Sequence, residues 1–108
     1  MKANTPRQRA IHKALREMIP HAPYSDFEAI ALAARSKHMR DLAPVNGAFL
    51  ATVAHIRHRY TDYDQLRDEG YDRDSARFFV AEPIEEQLRF WGCTRGLSSS
   101  DMDPDPGD

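Results

Sequence analysis

The sequence predicts an all-α fold, a small bundle of four to five helices. Apolar residues recur at three- and four-residue steps in successive segments, residues typical of helix caps precede several of these segments, and no stretch alternates between apolar and polar residues as a strand would. The chain has 108 residues, enough for one domain and too few for two. We therefore expect residues 1–96 to form a single helical domain.

The first helix is predicted to begin at Pro6. Thr5 can cap it, proline fits the first helical position, and Gln8 stands where a capping box has Glu or Gln. Pro20 and Pro23 are expected to end it. The apolar stripe of this helix consists of Ala10, Ile11, Ala14, Leu15, Met18 and Ile19. Its remaining surface carries the basic residues Arg7, Arg9, Lys13 and Arg16.

A second helix is predicted to begin at Asp26, because Ser25 to Glu28 match a capping box. Its apolar face consists of Phe27, Ile30, Ala31 and Ala34, widened by Leu32 and Ala33. The last turn is basic, which suits the negative end of the helix dipole, and contains Arg35, Lys37, His38 and Arg40.

A third helix, from Ala48 to Arg59, is expected to be the central one. Its apolar stripe consists of Phe49, Val53, Ile56 and Tyr60, extended backwards by Val45. His55, His58 and Arg59 are expected on the opposite surface, with Arg57 near the edge of the stripe.

The C-terminal part is predicted to contain a short helix and a longer one. Residues 61–64 can cap a helix from Leu66 to Glu69, which Gly70 closes in a left-handed conformation. Asp72 can cap the next helix, from Arg73 to Ala81, with the apolar residues Ala76, Phe79 and Val80 at matching steps. Pro83 either kinks this helix or starts a new one that ends at Gly92.

The net charge of −2 conceals an uneven distribution. Residues 1–60 carry +6, residues 61–96 carry −4, and residues 97–108 carry another −4. This last segment has almost no apolar content, so we expect a disordered acidic tail over residues 97–108. Such asymmetry is typical of chains whose basic part meets a charged partner, or whose halves pair with each other.

The apolar content excludes a membrane-spanning segment. The longest apolar run has six residues, against the roughly 20 that a span needs. Cys93 is the one cysteine, so the chain has no internal disulfide. We expect a protein of the cytoplasm that does not enter a membrane.

Part of the sequence resembles an uncharacterised family, domain of unknown function 2293. The resemblance rests on a histidine- and arginine-rich helix end at residues 55–59, the pattern T-x-Y-D-x-L from Thr61, the pattern G-x-x-R-x-x-A-R-x-x-V from Gly70, and Trp91-Gly92. It spans Ile11 to Gly92 and implies a small bacterial-type domain with no assigned role.

Few residues are candidates for chemistry. His55, His58 and Asp62 would share one face if the third helix reached Asp62. The histidine spacing differs from that of zinc proteases, and the neighbouring arginines repel a cation, so the sequence does not favour a metal site here. Cys93 has no histidine near it in sequence. We expect neither an enzyme nor a cofactor.

The leading functional prediction is nucleic-acid binding through the phosphate backbone. Arginine side chains supply the forked donors that phosphates accept. The candidate residues on the basic half are Arg7, Arg9, Lys13, Arg57 and Arg59. In the acidic half, Arg73 and Arg77 are expected to form structural salt bridges with Asp62, Asp64 or Asp68, which would hold two helices in register.

The alternative is a protein-interaction or homodimerisation module. Phe78, Phe90 and Trp91 would form its apolar edge, because aromatic side chains are enriched where protein interfaces derive most of their affinity. The competing interpretation is that these three residues close the small core.

Overall fold

Five α-helices and one short 3-10 helix make up the described part of the chain, residues 5–97, in a computed structural model. They are α1 (Pro6–Met18), α2 (Tyr24–Ala34), the 3-10 helix (Lys37–Met39), α3 (Pro44–Tyr60), α4 (Tyr63–Asp68) and α5 (Arg73–Phe90). No strand occurs among these residues, so the all-α prediction is confirmed. The tail predicted for residues 97–108 lies outside the described residues except for Leu97, which is half-buried against the core.

Helix α3 is the centre of the fold. It packs against α1 and α2 on one side and against α4 and α5 on the other. Small residues near its start, Gly47, Ala48 and Ala51, are fully or almost fully buried and allow the neighbouring helices to approach closely. Around it, large apolar side chains complete the core, among them Ile11, Leu15, Ile30, Ile84, Leu88 and Trp91.

The predicted caps of α1 and α5 are confirmed. Thr5 Oγ1 accepts a hydrogen bond from the Gln8 N–H at 3.1 Å, and the Gln8 side chain accepts from the Thr5 N–H. Asp72 accepts from the Ser75 N–H at 2.8 Å, which lowers the pKa of the Asp72 carboxyl below its ordinary value. Each cap involves residues three apart, which is why sequence alone could place it.

The predicted start of α2 is wrong. The helix begins at Tyr24, after Pro23, and no side chain caps it. The carboxylate of Asp26 is buried and contacts α3. Leu32 and Ala33 were expected to widen the buried face, yet both are exposed, because the main packing of α2 is against α1 and α3 and uses its other face.

Helix α5 runs without interruption through Pro83, so no new helix begins at this proline. Proline has no N–H to donate to the carbonyl of Phe79. Both residues are exposed, so water can donate a hydrogen bond to that carbonyl instead. Gly92 follows the helix at φ +94, and a Cβ there would lie 3.0 Å from side-chain atoms of Pro20 and His21. Glycine is therefore required where the end of α5 meets the loop between α1 and α2. No helix of the described residues is long and apolar enough to cross a bilayer.

Candidate nucleic-acid interface

The five basic residues predicted to bind phosphate do not form one surface. Arg7 is half-buried, and its two terminal nitrogens donate to the carbonyls of Leu42 and Met39 at 2.6 and 2.7 Å. These bonds fasten the first turn of α1 to the loop that precedes α3. The expectation that Arg7 contacts phosphate is therefore corrected: its guanidinium satisfies backbone carbonyls.

Arg57 is also placed differently from the expectation. It was expected near the edge of the apolar stripe and among the phosphate-binding residues, but it is 1% exposed. Its guanidinium carbon lies 5.5 Å from the ring centroid of Tyr63, the first residue of α4. Because α4 and α5 cover this side of α3, Arg57 has no open path to a phosphate backbone.

The other three predicted residues are exposed. Arg9 and Lys13 lie on the outer surface of α1, and Arg59 lies in the last turn of α3. The anchoring of Arg7 on Met39 and Leu42 brings the start of α1 beside the 3-10 helix, whose exposed Lys37 is followed by the exposed Arg40 at its C-cap. The exposed cations of the N-terminal half therefore come from α1, this 3-10 segment and the end of α3.

A groove of about 380 Å³ opens between the end of α2, the 3-10 helix and α3. We call it the histidine groove. Its polar lining consists of Ser36, His38, His55, His58 and Arg59. Its apolar lining consists of Ala33, Met39, Ala51 and Ala54. Imidazole and guanidinium groups around a small open groove are suited to an anion.

The two α3 histidines in this groove each have a carboxylate partner. His55 Nε2 lies 2.7 Å from Asp26 Oδ1, and His58 Nδ1 lies 2.7 Å from Asp64 Oδ1. An ionised carboxylate only accepts hydrogen bonds, so in both contacts the imidazole N–H donates. His55 and His58 therefore engage different acids, and the described residues contain no group of three or more His, Cys, Asp or Glu that could hold a metal ion. The third residue of the metal hypothesis, Asp62, is exposed at the start of α4.

Asp26 joins α2 to α3 through two contacts. Besides His55, it accepts a hydrogen bond from the Tyr60 hydroxyl at 2.8 Å. Partial burial and this bond raise the pKa of Tyr60 above its ordinary value. The Tyr60 ring stands edge-on to Trp91, with centroids 5.4 Å apart. Sequence reasoning treated Asp26 as a helix start and missed this network, whose members are up to 34 residues apart.

Residues 14–92 match the model of a family described as uncharacterized conserved protein (DUF2293). The chain belongs to this family. The match begins three residues after the start of the predicted resemblance and ends at the same residue, Gly92. No curated protein and no solved structure matches the chain.

The matched range of this DUF2293 chain contains the whole histidine groove and α2 to α5, whereas Arg7, Arg9 and Lys13 precede it. It also contains Arg73 and Arg77, the predicted salt-bridge residues. Arg73 is exposed and Arg77 is 2% exposed. Their pairing with Asp62 or Asp64 stays a prediction; the contact seen for Asp64 is the one with His58.

The predicted aromatic edge is partly correct. Phe78 and Phe90 are 77% and 78% exposed, but Trp91 is 1% exposed and belongs to the core. Phe79, expected in the apolar stripe of α5, is 56% exposed instead. Its ring lies edge-on to those of Phe78 and Tyr71, at 5.9 and 5.6 Å. We call the residues Tyr71, Phe78 and Phe79, together with Phe90 eleven residues further along α5, the aromatic face.

His12 is a residue that sequence reasoning missed. It is buried on α1, between the core residues Ile11 and Leu15, and its ring stands edge-on to Phe27 at 5.5 Å. Burial is the main cause that lowers the pKa of His12 below its ordinary value of 6.5. Its position beside the apolar stripe of α1 could have predicted that His12 is buried. Because histidine is a polar residue type, it was not counted in that stripe.

Proposed function

We propose that this DUF2293 domain binds nucleic acid through the phosphate backbone, using the exposed cations of its N-terminal half. The observation that supports the proposal is the set of exposed basic side chains around the histidine groove. Arg59 lines the groove itself, and Lys37 and Arg40 belong to the segment that also supplies His38. Arg9 and Lys13 extend the positive surface along α1.

Acids lie near this surface, but two of them are engaged by groove residues. Asp26 is buried and contacts His55 and Tyr60. Asp64 is exposed and contacts His58, which lines the groove beside Arg59. Asp41 and Glu17 are exposed as well, so the surface carries both signs, and the excess of guanidinium, ammonium and imidazole groups favours binding at low salt.

The test is the salt dependence of affinity, measured by fluorescence anisotropy with a labelled DNA duplex. Four or five phosphate contacts give a slope of about −4 in log K against log salt. The variants Lys37→Gln and Arg59→Gln are each expected to reduce the magnitude of that slope by about one. Arg89→Gln is the matched control, because Arg89 is an exposed arginine on the acidic side of the molecule.

The proposal fails if the wild-type chain does not bind at 50–100 mM salt, or if its affinity is independent of salt. It fails equally if Arg89→Gln weakens binding as much as Arg59→Gln. That result would mean that any exposed positive charge contributes equally to binding, and that the residues of the histidine groove are not the binding site.

The aromatic face favours a second candidate function, self-association. Three phenylalanines that are more than half exposed lie on the outer side of α5, together with Glu82 and Glu86. Exposed aromatic clusters of this kind are typical of interfaces. Light scattering at high micromolar concentration tests the idea. A dimer that Phe78→Ser and Phe90→Ser convert to a monomer supports it, and a wild-type monomer excludes it.

A further inference from the structure

A second groove, between α1 and α2, has a composition unlike that of the histidine groove. It measures about 600 Å³ and we call it the His12 groove. Its apolar lining consists of Ile19, Pro20, Ala22 and Phe27. Its polar lining consists of His12, Arg16, Tyr24 and Glu28. Ligand sites of this size commonly combine an apolar lining with a few convergent polar groups.

The unusual member of this groove is His12. The side chain is more than nine-tenths buried, and its Nε2 has no hydrogen-bond partner among the described residues. Buried polar atoms in native proteins are nearly always paired, because leaving one unpaired costs free energy. The atom itself is buried, so a ligand in the groove reaches it only when the imidazole turns toward the groove, and a hydrogen-bonding group there would then remove that cost.

Charge and shape at the groove indicate what kind of ligand fits. Arg16 lines the groove, and Arg35 is close enough to act electrostatically on His12. Both are positive, while Glu28 on α2 opposes them with one negative charge. Tyr24 is 73% exposed and offers a free aromatic surface next to Phe27. The groove thus combines a flat apolar surface, a buried hydrogen-bonding nitrogen and an anion-binding guanidinium.

We infer that the His12 groove binds a nucleotide as a flat heteroaromatic base that carries a phosphate. The base stacks against Tyr24 and Phe27, its polar edge bonds to His12, and its phosphate binds Arg16. This inference rests on the proposed function and narrows it, because a base paired within a duplex is stacked between its neighbours and cannot enter the groove. The substrate class is therefore an unpaired nucleotide.

The same chemistry has two sources, a single strand and a free mononucleotide, and the experiment separates them. Affinities of the full chain are measured for a labelled single-stranded oligonucleotide, for the duplex of the same sequence, and for adenosine monophosphate as competitor. Tyr24→Leu is the main variant because its side chain projects into solvent, so the fold should tolerate the change. Tyr71→Leu is the matched control, an exposed tyrosine on the aromatic face.

Tyr24→Leu is expected to weaken single-strand binding roughly tenfold and to leave duplex binding unchanged. Tyr71→Leu is expected to change neither. If adenosine monophosphate competes with the oligonucleotide for the wild-type chain but not for Tyr24→Leu, the free nucleotide is a ligand of the groove. Binding of the oligonucleotide without such competition assigns the single strand. His12→Leu, checked for folding by its melting temperature, is expected to weaken the same probe as Tyr24→Leu.

Two results overturn the inference, and they differ in what they mean for the proposed function. The first leaves the proposed function in place, and the second does not. In the first result, single strand and duplex both bind with a steep salt dependence, and Tyr24→Leu either leaves both affinities unchanged or lowers them equally. The proposal of phosphate binding then stands, and the proposal that the His12 groove binds a base is wrong. If no nucleic acid binds at 50 mM salt, the proposed function fails as well.

Discussion

Two histidine–aspartate contacts of equal length lie in different regions of the molecule. His55 Nε2 and Asp26 Oδ1 are 2.7 Å apart between α2 and α3, where both side chains are less than a tenth exposed. His58 Nδ1 and Asp64 Oδ1 are also 2.7 Å apart, between α3 and α4, where the Asp64 side chain is 62% exposed. The distance is the same in both, so the two contacts differ in burial and in the second hydrogen bond that Asp26 accepts from Tyr60.

Burial changes what each contact contributes. Water and salt screen an exposed pair, and holding two side chains in one geometry costs entropy, so such pairs stabilise proteins little. A buried acceptor cannot exchange its partners for water, and its removal leaves the donors unsatisfied. Asp26 has two such donors, His55 and Tyr60, and it links α2 to α3. The buried contact should therefore be structural and the exposed one nearly dispensable.

The largest effect is expected for Asp26→Ala. It removes the acceptor of two hydrogen bonds at once, and we expect it to lower the free energy of unfolding by roughly 2–4 kcal/mol. Urea denaturation followed by circular dichroism measures the change. The matched control is Asp64→Ala, which removes an aspartate with the same histidine distance. Equal losses in the two variants would contradict the argument from burial.

A smaller effect is expected for Tyr60→Phe, which keeps the ring against Trp91 and removes only the hydroxyl. The expected loss near neutral pH is about 1 kcal/mol. The pKa of Tyr60 lies above its ordinary value of 10.0, so the unfolded chain loses this proton at a lower pH than the folded chain does. The stability that Tyr60 contributes is therefore present below pH 10 and is lost as the pH rises above it.

The measurement for this prediction is the unfolding free energy of both proteins between pH 8 and pH 11. The difference between wild type and Tyr60→Phe should shrink as the pH rises past about 10. A difference that stays constant over this range would show that the hydroxyl does not sense the Asp26 carboxylate. Tyr71→Phe, a tyrosine with no hydrogen bond to Asp26, is the control.

The same contrast between local and distant contacts explains what the sequence could predict. The caps at Thr5 and Asp72 and the helix-ending glycines Gly70 and Gly92 depend on a few neighbouring residues, and all four are in the predicted places. The Asp26 network depends on residues about 30 positions away on another helix. No local pattern specifies it, and the local pattern around Ser25 was misleading.

The candidate site was also predicted only in part, because two of its arginines are buried by contacts between helices that are distant in sequence. Residue type favours exposure for arginine, yet Arg57 and Arg77 are 1% and 2% exposed. Helical spacing carried a signal: Arg57 follows Val53 by four residues, and Arg77 precedes Ile84 by seven, so each lies on a buried stripe. Arg9, Lys13 and Arg59 lie off such stripes, and their exposure agrees with the expectation.

The smallest effect is expected at the exposed contact. Asp64→Ala should lower the free energy of unfolding by less than about 1 kcal/mol at low salt. At 1 M salt the Debye length falls to about 3 Å, so the difference from wild type should nearly vanish. The loss in Asp26→Ala should persist at both salt concentrations, because its main cause is the loss of a buried acceptor that His55 and Tyr60 share and not a screened charge interaction. If salt instead reduced both losses by the same factor, the two contacts would be electrostatically alike, and burial could not be the property that separates them.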